Sequence, residues 1–411
     1  MQKSNFLTRV RAFFRTPRGI LAGLWGAYFL YWGSLGPIIP YLSLYYTEIG
    51  LTGSQIGQLG ALRSLISFIS AIALAFLSDV LRRRKLILIV CILGMIAATL
   101  IYPTMLSFAT LLPVVALYSI FLAPGPSIID QATLRALNNP RDYSKVRVGG
   151  SYGWGIIVFL AGLVINAPGL PLTVMFPMHI FFLLLLLALV VFLPEIREMG
   201  ESKKAKGASV ADIWQLLRQP GFALWMGVIF LFGATEASVI NFLFLHMQDL
   251  GGSSVLMGSA MSIAILGEIA GFTIAKRVQH RIGARRMIII ALALRIVWFA
   301  VAAVIRQPFW VLIIQVLGGS GFAMIESGSV AYVNERSPKR IGTTAQAVRS
   351  AILIRLSSFF GALIAGPLYQ NYGGAVMFAI MGAVSIVTLI LAFILRAVEQ
   401  KHNSGAALPS S

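Results

Sequence analysis

Asp130, Arg147, Ser151 and Trp154 carry the side chains in this sequence best suited to hold a small polar solute. Arg147, Ser151 and Trp154 stand at i, i+4 and i+7, which on an α-helix puts a guanidinium fork, a hydroxyl and an indole on one face. Arg147 and Asp130 can each bond polar groups bidentately, and a flat indole can carry the apolar face of a ring. Gly149, Gly150 and Gly153 thin the adjoining face, so another helix or a ligand can approach the backbone. Two readings stay open on these residues alone: a binding site, or an Asp130–Arg147 charge pair with Trp154 as a packing residue.

Other ionisable residues lie inside apolar stretches: Glu236, Glu268, Glu326, Arg63, Arg295 and Arg355, with Arg147 and Arg349 nearer the stretch ends. A charge in hydrocarbon costs about 2.5 to 3.5 kcal/mol even on the lenient insertion scale, so each needs a partner or a task. The signs nearly balance, which points to an internal aqueous cavity. An Arg that moves toward or away from a carboxylate there can switch it between holding and releasing a proton. Fixed ion pairs that set helix register are the alternative. Trp25, Tyr28 and Trp32 share one face of the first apolar stretch, where they can line a cavity, form an interfacial belt or pack. Asn241 and Gln346 are polar enough to contact a ligand or to bond one helix to another. Pro124-Gly125-Pro126 predicts a bend just before Asp130. His179 and His246 lack metal-like spacing, and no metal site is expected.

These residues must be positioned by membrane helices. The chain has 411 residues, 58% hydrophobic and only 11% charged, with a mean hydropathy of +0.85. No soluble domain needs that much apolar surface. The formal net charge of +19 could suggest nucleic acid, but its placement says otherwise. Lys3, Arg9, Arg11, Arg15 and Arg18 precede the first stretch, and most other cations fall in every second loop. That bias places both termini in the cytoplasm and excludes nucleic acid as partner. Cys91 lies inside an apolar stretch, which excludes disulfides and thiolate metal sites. The first stretch is long enough to be kept as a helix rather than cleaved as a leader.

Counting apolar runs of spanning length predicts helices near 20–45, 54–80, 86–102, 107–135, 146–167 and 171–193. A second set falls near 221–248, 254–279, 286–305, 309–334, 345–370 and 374–396. The expected fold is all-α and integral to the membrane, with twelve transmembrane helices in two pseudo-symmetric bundles. Residues 1–193 form one bundle, 194–220 a cytoplasmic linker, 221–400 the other bundle, and 401–411 a disordered tail. The halves echo each other. SDVLRRRK (Ser78 to Lys85) answers HRIGARRM (His280 to Met287), and NNPRDYSKVR answers ERSPKRIGTTAQAVR. Such repetition implies two similar halves with the ligand between them at mid-membrane depth.

With these features the chain resembles the major facilitator superfamily. HRIGARR is similar to that family's DRxGRR loop signature, with His280 in the acidic place. SDVLRRRK keeps Asp79 and the Arg run but has Val80 and Arg82 in place of the usual Arg and Gly. The resemblance implies that Asp79, Arg83, Arg281, Gly283 and Arg285 act as conformational loop residues.

Within the superfamily the chain is similar to the lactose-permease-like, phenylpropionate-permease-like and nucleoside proton symporters. Asp130 ends the fourth span and Arg147 precedes Trp154 by seven, as in lactose permease, with Ser151 where the permease has a cysteine. The resemblance implies substrate binding by Asp130, Arg147, Ser151 and Trp154; by their place and polarity Tyr28, Trp32, Asn241 and Glu268 are expected as further contacts. It implies proton coupling through Glu326, Arg295 and Glu268, with Glu326 as carrier and Arg295 as its modulator. Glu236 and Arg355 would form a structural pair. Ala323 stands where the permease has a histidine, which argues against galactosides as substrate.

The expected function is secondary active transport of a sugar, nucleoside or aromatic acid across the cytoplasmic membrane, by alternating access with proton symport. A proton-antiporting exporter is the alternative. Its usual GxxxGPxxGG-like run is absent from the fifth span, GGSYGWGIIVFLAGLVI, and the middle of the fourth span has no Arg. The sequence contains no HExxH, GxSxG, Cys pair or phosphate-binding Gly loop, so no enzymatic activity is expected. The expected partners are a small solute and the lipid bilayer, the chain a monomer, and the only coupling species a proton.

Overall fold

In lipid every backbone N–H and C=O must find its partner within the chain, and a run of apolar residues does this by coiling into a helix. The computed structural model describes residues 6–81, 83–137, 139, 142–195, 214, 218, 220–337 and 342–405, and among these there are helices and turns but no strand. In order they are α1 (Phe6–Phe13), α2 (Pro17–Leu35), α3 (Leu42–Glu48), α4 (Gly53–Leu81), α5 (Arg84–Ile101) and α6 (Phe108–Leu122). Then follow α7 (Gly125–Ala136), α8 (Tyr143–Ile165), α9 (Met175–Phe192) and α10 (Pro220–Asp249). Two helices, α11 (254–282) and α12 (284–304), run through Ser254–Val304 and are parted at Gly283. After α13 (Trp310–Arg336) and α14 (Gly342–Ser350), Ala351–Leu356 widens into a π-helical stretch. Ser357–Gly405 then holds α15 (357–372) and α16 (374–405), parted at Gly373.

Among the described residues nine stretches are long and apolar enough to cross a membrane, so the chain is a multi-pass membrane protein. Gly283 has φ 81° and Gly373 φ 76°, in the left-handed region where a side chain would strain the backbone. Nothing lies within 4 Å of where a Cβ would stand at either, so conformation and not space selects glycine. The last helix continues through Gly405, so 401–405 are helical where the sequence predicts a disordered tail. Residues 196–213, most of the predicted linker, lie outside the described residues.

The chain divides into two compact units. The first takes Met1–Leu51, Leu62–Glu201 and Ser253–Ile265, and the second takes Thr52–Ala61, Ser202–Gly252 and Leu266–Ser411. Each thus contains the opening turns of a helix that continues in the other: α11 in the first unit, α4 in the second. Inside the first unit, Ser262 donates to the Gly155 carbonyl (2.6 Å) and Tyr41 to those of Val158 (3.3 Å) and Ser254 (3.2 Å). Inside the second, Gln370 accepts from the Ser54 backbone N–H (3.0 Å).

In the first unit, α2 lies directly against the glycine face of α8. A Cβ at Gly149 would stand 2.7 Å from the Trp25 carbonyl oxygen, one at Gly150 2.6 Å from Trp32 Cδ1, and one at Gly153 would overlap the Phe29 carbonyl. The thinned face receives a helix, one of the two occupants the sequence allows. Gly153→Ala is therefore expected to cost about 1–3 kcal/mol by overpacking, read as a lower unfolding midpoint of the purified protein. Gly227→Ala, where nothing lies within 4 Å, should leave that midpoint unchanged or raise it.

The predicted bend is present, since α6 ends at Leu122 and α7 starts at Gly125. Pro126 lacks the N–H that would reach back four residues to the Leu122 carbonyl, and Tyr31 donates its hydroxyl there instead (2.5 Å). His179 does the same for the Ser34 carbonyl (2.5 Å) in the last turn of α2. A carbonyl only accepts, so Nδ1 carries the proton and Nε2 takes the Tyr118 hydroxyl (3.2 Å). In the second unit His246 faces the Ala302 carbonyl (3.2 Å) near the end of α12. Among the described residues no group of His, Cys, Asp and Glu could hold a metal.

Candidate functional site

In the first unit, α7 and α8 are joined by a short turn, which brings Asp130 beside the opening turn of α8. Asp130 Oδ1 accepts from Tyr28 of α2 (2.5 Å) and from Tyr143 of α8 (2.8 Å). Among the described residues both donors meet Oδ1 and none meets Oδ2. The Arg147 guanidinium lies over the rings of Tyr28 (5.6 Å) and Trp32 (5.4 Å), within cation–π range. Among the described residues it makes no hydrogen bond and no ion pair. Its planar charge is thus supported on its faces while its edge donors stay available.

Ser151 and Trp154 continue that face, both half-buried. Among the described residues neither makes a hydrogen bond, and the Trp154 ring stacks on no other. Trp32 Nε1 is buried and likewise without a hydrogen-bond partner. The Asp130–Arg147 charge pair, one of the two readings the sequence leaves open, is not formed: the carboxylate is held by two phenols and the guanidinium by two rings. One side of α8 therefore presents a donor fork, a hydroxyl and an aromatic plane, the set needed to hold a ring with a polar substituent.

Tyr28 is fully buried beneath Asp130, so it positions the carboxylate and does not itself line the site as predicted. Trp25 stacks on Phe29 (5.5 Å between centroids) and stays 36% exposed. Tyr143 was missed by sequence reasoning, although it sits one turn before Arg147 on the same helical face.

In the second unit the acids Glu326 and Glu236 are each met by an arginine. Glu326 of α13 receives a two-pronged contact from Arg349 of α14, Nη1 to Oε2 at 2.8 Å and Nη2 to Oε1 at 2.9 Å. Gln346 fixes that guanidinium. Its amide nitrogen donates to the Val330 carbonyl (2.9 Å) and to Asn334 (2.8 Å), which turns its oxygen toward Arg349 Nε (2.9 Å). Gln346 is thus a helix-to-helix link. Glu236 of α10 lies 2.8 Å from Arg295 of α12, whose guanidinium stands over Trp298 and Phe299, 4.6 Å from each centroid.

The predicted partnerships are therefore exchanged. Arg295 joins Glu236, where the sequence reading gives it to Glu326, and Arg349 takes the place beside Glu326. Arg355 was the predicted partner of Glu236; it sits half-buried in the π-helical stretch. Asn241, half-buried, donates to the Ala237 carbonyl of its own helix (2.8 Å), and its Oδ1 fills the notch left by Gly60. Glu268 is half-buried on α11. Of the loop residues, Arg83 and Arg281 are exposed and Arg285 is half-buried. The Asp79 side chain lies outside the described residues.

Comparison with known proteins then decides the family. The family model described as "MFS_1 like family" matches residues 21–380. The chain belongs to the MFS_1-like family. This MFS_1-like protein is accordingly a transporter of the major facilitator type, not an enzyme. It is 25% identical over 373 residues to a probable 3-phenylpropionic acid transporter of Escherichia coli, covering 89% of this chain and 95% of that one. It is 26% identical over 372 residues to a maltose permease of Geobacillus stearothermophilus, covering 89% and 92%. In fold the MFS_1-like chain is similar to the crystal structure of a D323A mutant of the nucleoside transporter NupG. The TM-score is 0.79 at 18% identity, covering 92% of this chain and 99% of that one.

Proposed function

We propose that this transporter carries a small ring-bearing solute across the cytoplasmic membrane by alternating access, as a proton symporter, and that Arg147, Ser151, Trp154 and Asp130 bind it. The observation that carries this reading is the Arg147 fork: raised on two aromatic rings, next to a free indole, with no anionic partner among the described residues. A half-buried guanidinium whose edge donors are unused favours an anionic ligand. Among a sugar, a nucleoside and an aromatic acid, an aryl carboxylate fits best, with its ring on Trp154 and its carboxylate on Arg147. The name of the phenylpropionic acid relative agrees with that choice.

The proposed topology has twelve spans in two halves joined through 194–220. The Val348–Leu395 stretch, 48 residues long, holds two spans parted at Gly373, which makes ten of the nine stretches. Helices α2, lowered in hydropathy by its Gly, Trp and Tyr, and α4 supply the other two. An even number of spans with cations at both ends places the two termini in the cytoplasm. The chain works as a monomer, with the solute, the proton and lipid as its only partners.

Coupling is assigned to Glu326, with Arg349 replacing Arg295 as the group that governs its proton. Arg349 holds both carboxylate oxygens of Glu326, so a movement of α14 away from α13 would break both contacts at once. In proteoliposomes with an inward proton gradient, the wild type should accumulate an aryl carboxylate such as 3-phenylpropionate. Glu326→Gln should keep exchange of labelled for unlabelled solute but lose accumulation. Accumulation by Glu326→Gln at the wild-type level would remove Glu326 from the coupling step.

A further inference from the structure

Helix α1 is not needed by any step above, yet the structure builds it with care. The backbone N–H groups of Arg15 and Thr16 bond the carbonyls of Ala12 and Phe13 (3.2 and 3.0 Å), which closes a tight turn out of α1. Thr16 then caps α2 by accepting from the Gly19 N–H (3.0 Å), with Pro17 in the first helical turn. Phe14 packs into the notch left by Gly23, where a Cβ would stand 3.0 Å from its ring. The helix is therefore seated on α2 rather than trailing from it.

Its composition is that of an interfacial helix. In the sequence, Phe, Leu and Val fill positions 6, 7, 10, 13 and 14 and Arg fills 9, 11 and 15, the pattern of an amphipathic helix. Phe13 is 51% exposed, and Arg9, Arg11, Arg15 and Arg18 are all exposed. No Asp or Glu occurs before Glu48. Glu195 and Arg11 are both within Coulombic reach of Lys85, which donates to the Val191 and Leu193 carbonyls (2.8 and 2.6 Å) at the end of α9, so one carboxylate stands among four exposed arginines and this lysine. The basic cluster is thus set on the end of the first unit where α5 starts and α9 stops.

At eight residues α1 is about 12 Å long, far too short to span, and its three-residue link holds it within about 10 Å of the start of α2. We infer that α1 lies in the headgroup layer of the leaflet next to the N-terminus and binds anionic phospholipid, with Phe13 dipped into the apolar boundary and Arg9, Arg11, Arg15 and Arg18 on the phosphates. Charge complementarity chooses this occupant, since a cationic, acid-free, aromatic helix at a bilayer edge gains from every lipid phosphate it meets. The inference uses the proposed topology only to place Pro17 at the bilayer edge, and its test involves no transport.

Cys91 is the one cysteine and is buried, so an environment-sensitive dye can be placed on a Thr8→Cys variant of the full chain. Titrated into detergent-solubilised protein, phosphatidylglycerol should shift the dye emission to the blue, and phosphatidylcholine should not. Each arginine near an anionic surface is worth roughly fivefold in partitioning, so Arg9→Gln/Arg11→Gln/Arg15→Gln should raise the half-saturating phosphatidylglycerol roughly a hundredfold. The matching triple Lys variant, with its charges kept, should titrate within a few-fold of wild type, which separates lost charge from lost folding. Equal responses to the two lipids, or a triple Gln variant that titrates like wild type, would overturn the inference. So would a response to soluble polyglutamate in lipid-free micelles with none to phosphatidylglycerol, which would assign the surface to an acidic protein.

Discussion

Replacing Glu236 with alanine is expected to destabilise the protein by about 3–5 kcal/mol, because it strands the charge of Arg295 in the interior. The Arg295 side chain is 4% exposed and that of Glu236 17%. Their 2.8 Å approach is not aligned as a hydrogen bond, which leaves Arg295 Nε and Nη2 buried without one. What holds the guanidinium is therefore Coulomb attraction on one side and the faces of Trp298 and Phe299 on the other. Removing the carboxylate takes away the larger part, and the rings cannot replace it. The check is reversible unfolding in mixed micelles followed by fluorescence. The double variant Glu236→Leu/Arg295→Met, which removes both charges and keeps the volume, should return to within about 1–2 kcal/mol of wild type. A Glu236→Ala protein as stable as wild type would show that water reaches this pair.

That pair also marks where sequence reasoning stopped. The need for partners was legible, because each charge interrupts an apolar run and has a known cost. The partnerships were not, because a helix presents several faces and residue order does not say which ones meet. Arg295 and Arg349 are both one helix away from Glu326 in the chain, and only the packed structure gives Arg349 to it. The repeat did contain a hint: an acid before a basic turn and an Arg after it occur in both halves. The halves then diverge, with Asp130 held by two phenols and Glu326 by a guanidinium. The Arg147, Ser151 and Trp154 face was fully legible, since helical periodicity alone fixes it, and one more turn backward would have added Tyr143. The glycine face of α8 was legible as a close approach, whereas the identity of the approaching helix was not. Two glycines with positive φ, Gly283 and Gly373, were legible to different degrees. Gly283 sits in a recognisable loop signature, and Gly373 in a plain YGG turn.

Arg147→Gln should weaken binding of an aryl carboxylate by roughly 10- to 150-fold, the loss that follows from removing charge-assisted hydrogen bonds worth about 1.5–3 kcal/mol. The fork is already oriented by Tyr28 and Trp32, so little side-chain entropy is spent on binding, and the upper part of that range applies. Arg147→Lys keeps the charge but loses the planar fork and its stacking, so it should recover only part of the affinity. Trp154→Ala removes the ring platform and should cost about 0.5–1.5 kcal/mol beyond lost area, felt by any ring-bearing solute whether charged or not. These differences separate substrate classes. If the solute is anionic, Arg147→Gln should damage its binding far more than that of an uncharged ring compound of the same shape, while Trp154→Ala should damage both alike. Titration calorimetry of the purified protein with 3-phenylpropionate and its amide makes the comparison directly. Equal losses for acid and amide in Arg147→Gln would mean that Arg147 bonds a neutral acceptor, and would move the assignment to a sugar or nucleoside. No loss for either would take Arg147 out of the site altogether and leave its stacked guanidinium as a structural prop between α2 and α8.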